Sequence, residues 1–193
     1  SMDGDISPLS QIIPIIKKYG AISVLDDAHG LGVLGIDGSG TAEHFKLSKE
    51  IDISMGTFSK SVAVTGGFLA GRKEIINYMR YFARPYMFSA SLPPMSLAAI
   101  LAGLDVIKTK PQLREQLCEN IKYAQEILSS YNIVSKDMTP IIALLIPEWM
   151  DIRKANSIIH EYGIFLNAIE YPAVPKDKQR FRISLMAQHT KAD

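Results

Sequence analysis

The sequence predicts an α/β fold, with a mostly parallel sheet covered by helices, followed by a small C-terminal α+β unit. Three observations carry this reading. Short apolar segments alternate with helical patterns through residues 8–109, which is the signature of strands joined by crossover helices. Glycine punctuates those segments, at Gly20 and on both sides of "GGFLAG". After a long amphipathic helix the character changes, and strands outnumber helices. The boundary falls near 105–111, within a long connecting helix, giving domains 1–108 and 109–193.

Each element follows from its pattern. Residues 8–19, "PLSQIIPIIKKY", carry apolar side chains at helical spacing and stop at Gly20. Pro14 within them should kink that helix or mark its start. "AISVLD" (21–26) is short and apolar, so it reads as a buried strand. "EIDISMGT" (50–57) and "GGFLAG" (66–71) read as two more strands. "RKEIINYMRYFA" (72–83) is helical, and "PPMSLAAILAGLDVIKT" (93–109) is a long apolar helix opened by prolines. "PQLREQLCENIKYAQEILSSY" (111–131) is amphipathic and helical. "TPIIALLIP" (139–147) is a strand, "WMDIRKANSIIHEY" (149–162) a helix ending at Gly163, and "IFLNAI" (164–169) and "RFRISLM" (180–186) are strands.

Composition narrows the function classes. The 193 residues are 47% apolar and 21% charged, with a net charge of +1. That balance points to no nucleic-acid or membrane-surface partner. Apolar runs are broken well before the length of a membrane span, so no integral membrane segment is expected. The single cysteine, Cys118, excludes an intrachain disulfide and fits a reducing compartment, so a cytoplasmic location is expected. The chain opens without an initiator methionine and ends at "QHTKAD", as a piece of a longer protein would.

Chemistry concentrates in three segments. In "LDDAHGLGVLG" (25–35), Asp26 and Asp27 end a strand and His29 follows in a glycine-rich loop. Strand ends of parallel sheets are where ligands bind, and a carboxylate there can hold a positive charge on a ring nitrogen. Strand alternation makes it hard for both aspartates to face one ligand. The competing reading is a turn-capping pair with a satisfied loop histidine. A metal site finds no further ligands at suitable spacing. In "GTFSKSVAVTGG" (56–67), Lys60 stands among hydroxyls before a glycine pair. Lysine can form an imine with an aldehyde cofactor, and Thr57, Ser59 and nearby N–H groups can take a phosphate. A lone loop lysine would prove little, but two neighbouring strand ends can present Asp26 and Lys60 to one cleft. Pyridoxal 5′-phosphate (PLP) would use the whole set: a lysine, a carboxylate, a donor near its phenolic oxygen and a phosphate cradle. In "RFRISLMAQHT" (180–190), Arg180 and Arg182 share one side of a strand, and a guanidinium suits a substrate carboxylate. The alternative is a charged edge strand.

Taken together, "SMDGDISPL", "LDDAHGLGVLG", "GTFSKS…GGF", "FSASLPP" and "YPAVP…RFRISLMAQHT" resemble the α-oxoamine synthase family of fold-type I PLP enzymes, in order and in spacing. The loop "NAIEYPAVPKDKQRFRISLMAQHT" looks most like bacterial serine palmitoyltransferases. The resemblance covers the chain and implies that it matches the C-terminal half of proteins about twice as long. On its own, such a half would be expected to bind PLP weakly or not at all. The resemblance further implies PLP on Lys60, with Asp26 at the pyridine nitrogen, His29 near the phenolic oxygen, and Thr57 and Ser59 at the phosphate. It places Ser1 near the cofactor, carries Ser89 and Ser91 to the phosphate of a partner subunit, and gives Arg182 the substrate carboxylate. The implied reaction condenses an amino acid, serine favoured, with an acyl-CoA in a homodimer with sites at its interface. Lys60 would be the base and His29 would assist. Glycine C-acetyltransferase, 8-amino-7-oxononanoate synthase and 5-aminolevulinate synthase are the alternatives within the family. An aminotransferase would not need the histidine of "DDAHG", and a non-catalytic subunit would be expected to lose Lys60. A fragment that only dimerises is the remaining alternative.

Overall fold

A computed structural model describes residues 2–193; Ser1 lies outside the described residues. The chain forms two compact units, one of residues 7–111 and one that joins residues 2–6 to residues 112–193.

The first unit begins with helix α1 (Leu9–Lys18), which runs through Pro14 without ending there. The missing N–H at Pro14 frees only the Ser10 carbonyl, and both residues are exposed, so water can take its place. Strand β1 (Val24–Asp26) follows, then a short helix α2 (Thr41–His44) that the sequence pattern did not show. Strands β2 (Ile53–Thr57) and β3 (Gly67–Gly71) complete a sheet of order β1-β2-β3. β1 and β2 are parallel, with Asp26 opposite Met55, but β2 and β3 are antiparallel. The sheet is therefore mixed, because only a short loop joins β2 to β3 and a parallel crossover needs a longer connection. β1 was expected to be buried, yet Val24 is exposed, and β1 is an edge strand of this sheet.

Helices α3 (Lys73–Phe82), α4 (Arg84–Met87) and α5 (Pro94–Thr109) end the unit. α5 starts on the prolines, whose fixed φ suits the first helical position. Its Ile100 packs with Phe58 and Val62 in a buried cluster, against which Val64, Leu92 and Ile107 rest. This cluster lies directly beneath the lysine loop.

In the second unit, helix α6 (Gln112–Ile127) buries Leu117, Ile121 and Ala124 at helical spacing. Strands β4 (Ile141–Leu145), β5 (Asn167–Ile169) and β6 (Arg180–Ser184) make an antiparallel sheet of order β4-β6-β5. Helix α7 (Ile152–Glu161) is capped by Asp151, whose carboxylate accepts from the N–H groups of Arg153 and Lys154. Residues 2–6 are fastened here. Thr139 Oγ1 donates to the Gly4 carbonyl, Ile6 N donates to Asp137, and Asp3 pairs with the buried Arg180. No helix among the described residues is long and apolar enough to cross a membrane.

Candidate active site

The site is built where β1 and β2 end side by side. Asp26 is the last residue of β1 and is exposed. Its Oδ1 accepts the N–H of Ala28 at 3.0 Å, a local turn that orients the carboxylate. Asp27, on the opposite side of the strand, is buried and holds Thr41 through both carboxylate oxygens. Alternation along the strand thus separates the pair into one exposed and one structural acid. His29 lies half-buried in the turn that follows.

Thr57 ends β2, two positions past the partner of Asp26. Its Oγ1 lies 2.7 Å from Ser59 Oγ, donates to the Gly66 carbonyl at 3.1 Å and accepts from Ser59 N at 3.2 Å. The two hydroxyls therefore sit together at one strand end. Lys60 follows, exposed. Its loop is fixed from below: Phe58 and Val62, two positions before and after it, are both buried. Its backbone is closed by hydrogen bonds from Phe58 N to Gly66 O, Val64 N to Phe58 O and Ala63 N to Lys60 O. Ala63 sits at a φ of 58°, an uncommon conformation for a residue with a side chain, beside the lysine.

The two loops touch. Ser61 Oγ donates to the Leu31 carbonyl at 2.8 Å. Gly32, at a φ of +78°, lies so close to Ser61 that a Cβ would not fit. Asp26, His29, Thr57, Ser59 and Lys60 therefore share one edge of one sheet. Ser61 and Asp27, which fasten this edge, were not among the expected site residues. For Asp27 the signal was its inward place in the strand alternation.

Ser89 and Ser91 are exposed in the segment leading to α5, and Leu92 beside them packs on the cluster under the lysine loop. Arg182 lies half-buried on β6, opposite Ala143 and Asn167, in the second unit. β6 is the middle strand, which removes the charged-edge alternative. Arg180 has its own partners, Asp3 and the Lys178 carbonyl. Among the described residues no group of acidic, histidine or cysteine side chains could hold a metal.

The profile of aminotransferase class I and II matches residues 1–193. The chain belongs to that family. Among its relatives in the family, 8-amino-7-oxononanoate synthase of Petrotoga mobilis is 44% identical over 195 aligned residues, covering 100% of this chain and 49% of that protein. Serine palmitoyltransferase of Bacteriovorax stolpii is 40% identical, covering 100% of this chain and 46% of that protein. Both relatives are α-oxoamine synthases, the group that the motifs resemble. A solved serine palmitoyltransferase from S. paucimobilis, with a bound PLP–myriocin aldimine, superimposes with a TM-score of 0.92 at 32% identity and covers 100% of this chain and 49% of that one. The chain spans about half the length of the relatives it matches. The family fold is thus shared, as fold-type I α/β architecture, and identity alone does not separate the two relatives.

Proposed function

We propose that the protein is a PLP-dependent acyltransferase that condenses an amino acid with an acyl-CoA to give an α-oxoamine. The observation that carries this reading is the shared edge: an exposed carboxylate, a hydroxyl pair and an exposed lysine on a pinned loop, held together by the Ser61–Leu31 bond. The donor set fits PLP. Lys60 Nζ would hold the aldehyde carbon, and Asp26 would keep the pyridine nitrogen protonated. Thr57 and Ser59 would donate to the phosphate, and His29 would meet the phenolic oxygen. Bound there, PLP would supply an electron sink for the charge left on the amino acid Cα.

The chain's own residues then have definite tasks. Arg182 would bind the substrate carboxylate through its planar guanidinium. Lys60, free as an amine, would take the α-proton at Nζ. A bond would form between Cα and the acyl carbonyl carbon as the C–S bond breaks, and coenzyme A would leave as a thiolate that takes up a proton. Loss of the carboxylate as CO₂ is followed by proton uptake at Cα. His29 would donate a hydrogen bond near the reacting carbonyl.

The finer reading favours serine as the amino acid, hence sphingolipid biosynthesis, in a cytoplasmic homodimer whose Ser89 and Ser91 reach the partner's phosphate. Ser1 would lie near the same cofactor. The domain reading is a large cofactor domain, 1–108, and a small domain, 109–193. The 44% identity to an 8-amino-7-oxononanoate synthase supports the second reading of that activity.

The test is thiol release from acyl-CoA by the full-length protein with PLP and, in turn, serine, glycine and alanine. Release that needs both PLP and an amino acid, and that disappears in Lys60→Ala, is expected. Formation of a 2-oxo acid with no thiol release would make the protein an aminotransferase instead.

A further inference from the structure

We infer that Asp27 is a positioning residue for His29: its buried carboxylate closes the glycine-rich loop that carries the histidine. The role of His29 rests on the function proposed above; the closure itself does not.

The segment between β1 and α2 is shaped by hydrogen bonds, among them Gly32 N to Gly38 O and Gly40 N to Leu34 O within it and Ser61 Oγ to Leu31 O from the lysine loop. Gly32, Gly35 and Gly38 all have positive φ, Ile36 is 85% exposed, and Leu31, Val33 and Leu34 are only half-buried. A chain of this kind has many accessible conformations and loses much entropy on ordering. Polar contacts must therefore hold it.

Asp27 supplies them at both ends. Its N–H donates to the Met55 carbonyl at 2.8 Å, which anchors it to β2. Its carbonyl accepts from Gly30 N at 3.0 Å and Leu31 N at 3.1 Å, wrapping the chain around His29. Its Oδ2 accepts from Thr41 N at 2.7 Å and its Oδ1 from Thr41 Oγ1 at 2.5 Å, fixing the far end 14 positions away. Asp27 and Thr41 are 8% and 7% exposed, so neither bond competes freely with water. Gly40, at a φ of +108°, packs against the carboxylate with no room for a Cβ. Glu43 adds a second clamp, accepting from Asp37 N and Ser39 N. Asp27 thus stands between the two residues expected to meet the cofactor ring, with its carbonyl closing the turn at His29 and its carboxylate closing the loop at Thr41.

Charge and shape can be separated. In Asp27→Asn the amide oxygen can still accept from Thr41 N, and the Thr41 hydroxyl can turn to accept from the amide nitrogen. Asp27→Ala removes the link, Thr41→Val removes its hydroxyl bond and leaves the Thr41 N–H on the carboxylate, and Thr41→Ser keeps both.

The experiment follows the His29 resonance in full-length protein labelled at histidine, assigned with His29→Gln, without and with PLP, alongside steady-state kinetics. Asp27→Ala and Thr41→Val should move the His29 signal and leave His160 and His189 in place. They should lower kcat by roughly 10- to 100-fold, the scale of a small misplacement of a reacting group, with little change in KM for the amino acid. Asp27→Asn and Thr41→Ser should restore both. If Asp27→Ala does not fold, the Thr41→Val and Thr41→Ser pair decides alone. An unmoved His29 signal, or a moved signal with unchanged kcat, would overturn the inference. So would an Asp27→Asn variant as impaired as Thr41→Val with the His29 signal in place, because charge and not position would then matter. The signal recorded without PLP distinguishes this failure from failure of the cofactor reading.

Discussion

The lysine loop and the histidine loop leave the same sheet edge and are held by opposite chemistries. Residues 58–66 are seated by buried apolar side chains, Phe58 and Val62, on α5. Residues 27–41 are held by two carboxylates, Asp27 and Glu43, and their apolar side chains Leu31, Val33 and Leu34 are only half-buried. An apolar seat responds to volume and shape. A polar seat responds to whether each donor keeps its acceptor. One edge therefore carries two separable sensitivities.

The comparison can be broken most completely at Lys60. Lys60→Ala should abolish PLP-dependent thiol release while leaving the thermal melting of the protein nearly unchanged, because the side chain is exposed. Next is the apolar seat. Phe58→Ala should cost about 3–5 kcal/mol in chemical denaturation, the usual range for a buried phenylalanine. Val62→Ile, which keeps the apolar character, should cost no more than about 1–3 kcal/mol from overpacking. The polar seat should lose less: Glu43→Ala leaves the Asp37 and Ser39 N–H groups without their acceptor. Both lie near the surface, so roughly 1 kcal/mol is expected.

The smallest effect is a pH effect at the opposite end of β1. The Ser23 N–H and hydroxyl both donate to Asp52, and these bonds, the backbone one foremost, hold its carboxyl below the usual aspartate value. The fold favours the charged form. Its contribution is complete above the unfolded aspartate pKa and fades as pH falls through the lower folded one. Asp52→Asn should therefore lower stability slightly at neutral pH and flatten the acid limb below about pH 4, where the two proteins converge. Urea midpoints collected across that range would show it.

How much was legible in the sequence follows from what is local. Asp26, His29, Thr57, Ser59 and Lys60 sit in two contiguous motifs at strand ends, so pattern alone brought them out. Helix starts at Pro94 and the stop before Gly20 were readable because caps and prolines act within a turn. The antiparallel pairing of β3 was missed although its signal was present, since the nine residues of loop 58–66 are too few for a crossover helix. Pro14 does not mark the helix start, which lies at Leu9, and the Ser10 carbonyl that it leaves unpaired belongs to an exposed residue. α2 was not visible because its start is capped by Asp27 from 14 positions away. The Asp3–Arg180 pair spans 177 positions, and no local pattern announces it.

The most direct measurement is borohydride reduction of the PLP-loaded full-length protein, followed by peptide mapping of the pyridoxyl label. The label is expected on the peptide carrying Lys60, at one site per chain, and should be lost in Lys60→Ala. A label on another lysine such as Lys49 or Lys73, or protein left unlabelled after loading, would contradict it.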